Sequence, residues 1–240
     1  PHVPRTPHPR FEGKSGMGPR GDVIVEADWC IGELYKTLDN EGILDNTLII
    51  FSSDNGPVLN DGYYDDAVEK LGDHTPSGGL RGGKYSLFEA GTKVPFISYW
   101  RGKINPGVSN ELISQVDLLN SISSIIGSEF KSNDGIDLSD LLLRNKGKGR
   151  DHLVVEASTR TAFRKGDWVI IPPYDAPALN KNVNIELGNS NNFQLYNLED
   201  DPSQKNNLAK IEKEKLKEIY NEFLKIRGDD FLNIESLMLE

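Results

Sequence analysis

The 240 residues are 37% hydrophobic and 27% charged, with 23 Gly and 13 Pro, which describes a loop-rich globular chain of one large domain or a medium domain with an appendage. A formal net charge of -10 excludes nucleic acid as a main partner, because phosphate binding needs a basic face, yet a few local cations can still hold a small anion. No apolar run approaches the roughly 18 to 20 residues of a membrane span, and the single cysteine, Cys30, excludes an intrachain disulfide.

Residues 1 to about 20 are rich in Pro, Gly, His and Arg, which predicts irregular backbone. The chain opens on Pro1 without a Met or a signal-like segment, so the simplest expectation is a fragment. From Asp22 to Asn40, Ile24, Ala27, Ile31, Leu34 and Leu38 recur at helical spacing, and Gly42 is placed to cap the helix. Cys30 is expected to pack in the core from within that helix. Thr47 to Ser52 (TLIIFS) reads as a strand buried on both faces.

Helix, short loop and buried strand make up the unit of an open α/β sheet, whose ligands bind beyond the carboxyl ends of the strands. A long polar loop, Pro57 to Gly83, follows as a candidate binding loop. Val94 to Trp100 reads as an edge or bulged strand because of Pro95. Leu112 to Ile126 carries Val116, Leu119, Ile122 and Ile126 at helical spacing.

Arg144 to Arg150 reads as a linker. Beyond it, His152 to Ser158, Thr161 to Arg164, Asp167 to Ile171 and Phe193 to Leu198 read as short antiparallel strands, with Lys165-Gly166-Asp167 as a hairpin turn. Leu216, Ile219, Tyr220, Phe223 and Leu224 mark a closing amphipathic helix. Residues 1–138 are thus expected to form part of an α/β domain and 150–240 a small α+β subdomain.

Three segments carry chemistry. Asp54-Asn55, just past the first strand, offers adjacent oxygen ligands to a hard cation such as Ca²⁺ or Mg²⁺, although Asp-Asn-Gly is also ordinary turn chemistry. Gly78-Gly79-Leu80-Arg81-Gly82-Gly83-Lys84 lets backbone approach an oxyanion while Arg81 and Lys84 neutralise it; Tyr85 after the lysine breaks the P-loop pattern. His2, beside Pro1 and Pro4, can serve as a general acid, the plainer alternative being a frayed terminus. His74 in the long loop is either solvated or a substrate contact, and His152 reads as structural.

Together these motifs resemble the type I, formylglycine-dependent sulfatases. The likeness rests on Ser53-Asp54-Asn55-Gly56, Gly79-Leu80-Arg81-Gly82-Gly83-Lys84, Phe88-Glu89-Ala90-Gly91, Val94-Pro95-Phe96-Ile97, Trp100-Arg101-Gly102-Lys103, Leu195 to Pro202 and the opening Pro1-His2-Val3-Pro4. The resemblance implies an alkaline-phosphatase-like mixed sheet flanked by helices, followed by the small antiparallel subdomain. It implies Asp54 and Asn55 as calcium ligands, Lys84 as a sulfate ligand and His2 at the leaving-group oxygen; the reading of the residues themselves adds His74 and Arg81 as candidate substrate contacts. A sulfated small molecule or carbohydrate is the implied partner, and a periplasmic or secreted location the implied setting.

The family's C/S-x-P-x-R nucleophile motif does not occur in these 240 residues. The expectation is therefore half of a calcium and sulfate site, inactive without the family's N-terminal half. The competing readings are a phosphodiesterase or phosphonate hydrolase of the alkaline phosphatase superfamily, and a non-catalytic carbohydrate-binding module.

Overall fold

A computed structural model describes residues 1–227, so the end of the subdomain expected over 150–240 lies outside the described residues. The first helix, α1, spans Gly18–Asn40, starting earlier than its apolar spacing suggests because Pro19 is tolerated in a first turn where no N–H partner is needed. Ser15 and Gly13 fold back onto the Asp22 carboxylate. Burial alone would raise the Asp22 pKa, but those hydrogen bonds outweigh it and hold the group below its ordinary value. Gly42, at φ 69°, ends α1 in the left-handed conformation expected of a cap.

Strand β1, Ile49–Ser52, pairs antiparallel with β2, Phe96–Tyr99, in the register Ile49↔Tyr99 to Ser52↔Phe96. The expectation of burial on both faces fails for β1. Its residues are half-buried and Phe51 is exposed, because only one strand flanks it among the described residues. Cys30 is likewise exposed rather than packed, since nothing described covers that face of α1.

Helix α2, Asp117–Ile125, is inverted relative to its pattern: Asp117, Asn120, Ser121 and Ser123 are buried, while Val116, Leu119, Ile122 and Ile126 are exposed. The buried side is held by polar bonds. Arg150 grips Asp117 through Nε at 2.8 and 2.9 Å, and Asn120 accepts from the Ser132 N–H at 2.6 Å. The supposed linker is therefore anchored at Arg150, and a short helix, α3, at Ser139–Arg144 precedes it.

The second unit is a four-stranded antiparallel sheet in the order β3-β4-β5-β8, formed by His152–Ala157, Arg160–Lys165, Trp168–Ile171 and Gln194–Asn197. Two small strands, β6 (Leu179–Asn180) and β7 (Ile185–Glu186), pair on the excursion between β5 and β8, and helix α4 spans Lys213–Arg227. Strand alternation divides this sheet cleanly. Phe163, Ile170 and Leu195 face α4 and pack on Ile219 and Phe223. Their neighbours Ala162, Ile171 and Tyr196 face the other way and pack on Leu87 and Phe88. The sheet thus has α4 on one side and, on the other, the segment that follows the glycine-rich loop.

Candidate active site

The sheet fixes that segment, and backbone bonds then carry the fixation to the end of β1. Leu87 N donates to Leu187 O at 3.0 Å, tying the loop to the β7 region. Gly56 N donates to Gly91 O at 2.9 Å, and Lys84 N donates to Pro57 O at 3.1 Å. The turn after β1 and the loop bearing Lys84 are therefore stitched side by side.

The approach is closer than any side chain permits. A Cβ on Gly56 would lie 1.6 Å from the Ala90 carbonyl oxygen, and one on Gly83 would lie 2.5 Å from that of Pro57. These glycines serve contact between two backbones, and that contact sets the Lys84 backbone against Pro57, two residues past Asn55, with the Lys84 ammonium 5.4 Å from the centre of the Tyr85 ring.

The turn itself has the local form that its sequence allows. Asp54 Oδ1 accepts from Asn55 N at 2.9 Å, Asn55 Nδ2 donates to Gly56 O at 3.0 Å, and Ser53 Oγ donates to Asn55 O at 3.0 Å. Gln115 braces it from outside, donating to Ser53 O at 2.7 Å and Ser52 Oγ at 3.0 Å. Asp54 Oδ2 and Asn55 Oδ1 receive no hydrogen bond from the described residues, so each keeps an oxygen for a ligand. Two oxygens suit part of the shell of a hard cation, which takes six to eight for Ca²⁺. No group of three or more His, Cys, Asp or Glu gathers as a metal cage among the described residues. The donor chemistry fits a divalent cation, and the pair supplies a portion of its ligands.

Arg81 has a different place from the one its sequence suggests. Its guanidinium donates to Glu186 through Nε at 2.7 Å and Nη2 at 2.9 Å and to Gln204 O at 2.8 Å, and it lies 4.0 Å over the Phe88 ring. Each of its three nitrogens bonds within the chain, so the structure makes it a tie between the glycine loop and the C-terminal sheet. Hydrogen bonding to Glu186 raises the Arg81 pKa, and the same bonds hold the Glu186 carboxyl below its ordinary range. Gln204, fully buried, adds a bond from Glu89 N to its Oε1 at 2.7 Å.

His2 is exposed, with Nδ1 2.9 Å from Val3 O, which leaves Nε2 as the outward ring nitrogen. Three residues on, Arg5 reaches under the loop after Asn55, donating to Val58 O at 3.2 Å, Asp61 Oδ2 at 2.6 Å and Asp65 Oδ2 at 2.7 Å. This buried arginine joins the His2 segment to the Asp54-Asn55 segment; nothing in its sequence surroundings marks it. His74 is exposed on the long loop and makes no side-chain bond among the described residues. His152 is structural, its Nδ1 2.6 Å from Asp151 Oδ1 and its ring 5.8 Å from that of Phe163.

The model of the family named Sulfatase matches residues 1–128, just over half of the chain. The chain belongs to the sulfatase family. This sulfatase chain is 47% identical over 222 residues to the N-acetylgalactosamine-6-O-sulfatase of Bacteroides thetaiotaomicron, a match covering 91% of the chain and 43% of that protein. It is 37% identical over 144 residues to human arylsulfatase A, covering 59% of the chain and 27% of that enzyme.

Among solved structures, a sulfatase from glycosaminoglycan metabolism in Bacteroides thetaiotaomicron superposes with a TM-score of 0.90 at 45% identity, over 94% of this chain and 48% of that one. The PsFucS1 sulfatase of Pseudoalteromonas sp. gives 0.74 at 30% identity, over 95% and 46%. The chain therefore has the alkaline-phosphatase-like fold of these enzymes and spans about half the length of the relatives it matches.

Proposed function

We propose that this chain is the C-terminal half of a sulfuric ester hydrolase acting on a sulfated carbohydrate, and that it supplies cation and sulfate contacts while the nucleophile comes from sequence outside these 240 residues. One observation supports the reading: the double backbone stitch that pairs the segment bearing Lys84 with the turn bearing Asp54 and Asn55. The sulfatase relatives, one named for 6-O-sulfated N-acetylgalactosamine, supply the substrate class.

In this reading Asp54 and Asn55 would hold Ca²⁺, with Mg²⁺ as the alternative, and such a cation supplies charge neutralisation for sulfate oxygens when bound. The family's formylglycine would supply covalent attack on sulfur. The Lys84 ammonium, a compact point charge, offsets developing charge on a sulfate oxygen. His2 in its imidazolium form presents Nε2–H to the leaving-group oxygen and donates that proton as the ester bond breaks. The resemblance also grounds a proposed periplasmic or secreted location; no helix of the described residues is long and apolar enough to cross a membrane.

The test is turnover of N-acetylgalactosamine 6-sulfate by the full-length protein that carries this chain. Lys84→Ala is expected to lower kcat/KM by about a hundredfold or more, as for loss of one preorganised charge contact. Unchanged turnover in the variant would remove Lys84 from the chemistry, and absence of any sulfate release by the unaltered protein would overturn the reading.

A further inference from the structure

The most unusual exposed surface lies at the tip of the long loop. Tyr63 and Tyr64 are 54% and 107% exposed, so two adjacent aromatic rings stand in solvent. Exposed rings normally belong to slack loops, but this tip is fixed at both ends. A single guanidinium, that of Arg5, binds Asp61 on one side of the two tyrosines and Asp65 on the other. Asp65 Oδ1 also accepts from Ala67 N at 3.2 Å, closing the downstream side. Between the clamped ends Gly62 sits at φ 88°, a conformation few residues adopt, and turns the chain out to present the rings.

The clamp also answers a charge problem. The Asp61 and Asp65 side chains are only 13% and 11% exposed against a 1% exposed Arg5, so their carboxylates are withdrawn from the surface that carries the rings. Asp66, the exposed carboxylate beside them, is paired with Lys70 at 2.7 Å. The same Arg5 donates to Val58 O, three residues past Asn55, and lies three residues past His2. The loop that carries the rings, the turn after β1 and the His2 segment thus share one anchoring residue, Arg5.

Resting on the sulfatase reading above, we propose that Tyr63 and Tyr64 form a stacking platform for a sugar ring beyond the one that bears the scissile sulfate, so that the substrate is a sulfated oligo- or polysaccharide. Tyrosine is well suited to stacking on a sugar. Its ring gives a broad contact face at little entropic cost, since only two torsions are frozen, and its hydroxyl remains wet. A base fixed before binding lowers the ordering cost further.

The experiment compares two substrates sharing the same ester, N-acetylgalactosamine 6-sulfate and a tetrasaccharide carrying it, in the full-length protein. Tyr64→Ala is expected to lower the ratio of kcat/KM for the tetrasaccharide over the monosaccharide about tenfold, mainly through KM for the longer substrate, while Tyr64→Phe retains the ratio. Thermal unfolding of the full-length variants separates a loss of folding from a loss of the platform. A ratio unchanged in Tyr64→Ala, or a Phe variant as poor as the Ala variant, overturns the platform while leaving the sulfatase reading in place. Cleavage of the monosaccharide alone by the unaltered protein overturns it as well. Cleavage of neither substrate overturns the sulfatase reading itself.

Discussion

The four-stranded sheet and the β1–β2 pair are both antiparallel, yet they stand in opposite physical conditions. In β4, β5 and β8 both faces are occupied, and Phe163, Ile170, Ile171 and Leu195 are wholly out of solvent. In β1 and β2, Phe51 and Ile97 are exposed, and α1 leaves Ile24, Val25, Trp29 and Leu34 exposed as well. The first region buries what its pattern marks as apolar; the second has the pattern without the burial. A chain that spans under half of its sulfatase relatives accounts for this difference if the uncovered faces meet the remainder of the fold.

The largest effect should therefore come from the closed region. Phe163→Ala removes a fully buried ring that packs 5.6 Å from Phe223 and 5.8 Å from His152, centroid to centroid. A loss of about 3–5 kcal/mol is expected in urea unfolding. Because Ala162 on the same strand faces Leu87, slackening this sheet should also lower activity through the glycine loop. A loss under about 1 kcal/mol would mean that the sheet is not the rigid partner in the comparison.

How much of this was legible in the sequence differs between the same two regions. The strands of the C-terminal sheet, its Gly166 turn and α4 follow from period-two and period-3.6 patterns, because there local pattern and local burial agree. Asp54, Asn55 and Lys84 stand out in the sequence as candidate ligands, while the pairing of their two segments does not: it depends on Gly56 and Gly83 closing two backbones together. Arg81 has a part in the fold that its sequence did not show. An arginine among glycines resembles an anion ligand, and its acceptors, Glu186 and Gln204 O, lie more than a hundred residues away in sequence. Arg5 gave no signal, since its partners are set by the fold of the long loop.

The tie between the two regions gives a smaller effect with a pH signature. Arg81 holds the Glu186 carboxyl below its ordinary value of 4.5, against the opposing pull of burial. A depressed folded pKa contributes stability that is fully present above the unfolded value and is lost as pH falls through the folded one. Glu186→Gln is then expected to cost up to about 1 kcal/mol near neutral pH, discounted because Glu186 is half exposed, and to unfold alongside the unaltered chain once pH drops well below 4.5. A gap between the two proteins that stays constant down to low pH would show that the carboxylate's charge does not carry the tie.

The smallest effect sharpens the comparison most, because it must be small in one setting and large in another. Leu119 lies on the apolar stripe of α2 with Val116, Ile122 and Ile126, all exposed, while Asp117 and Ser121 occupy the buried side. Asp117 cannot turn outward to let the stripe in: Arg150 grips it, and Ile136 N and Ser114 N both donate to its carboxylate at 2.9 Å. The polar side is thus the locked side, and the stripe can be covered only from outside. Leu119→Ser should change the stability of the 240-residue chain by no more than about 0.5 kcal/mol, as for an exposed position. In the full-length protein the same substitution should cost about 2–5 kcal/mol, the range for emptying a buried leucine site. Equal losses in both would place the partner of α2 within this chain, and no loss in either would leave the stripe as solvent-facing surface. Either outcome would break the contrast between a region closed within the chain and one completed from outside it.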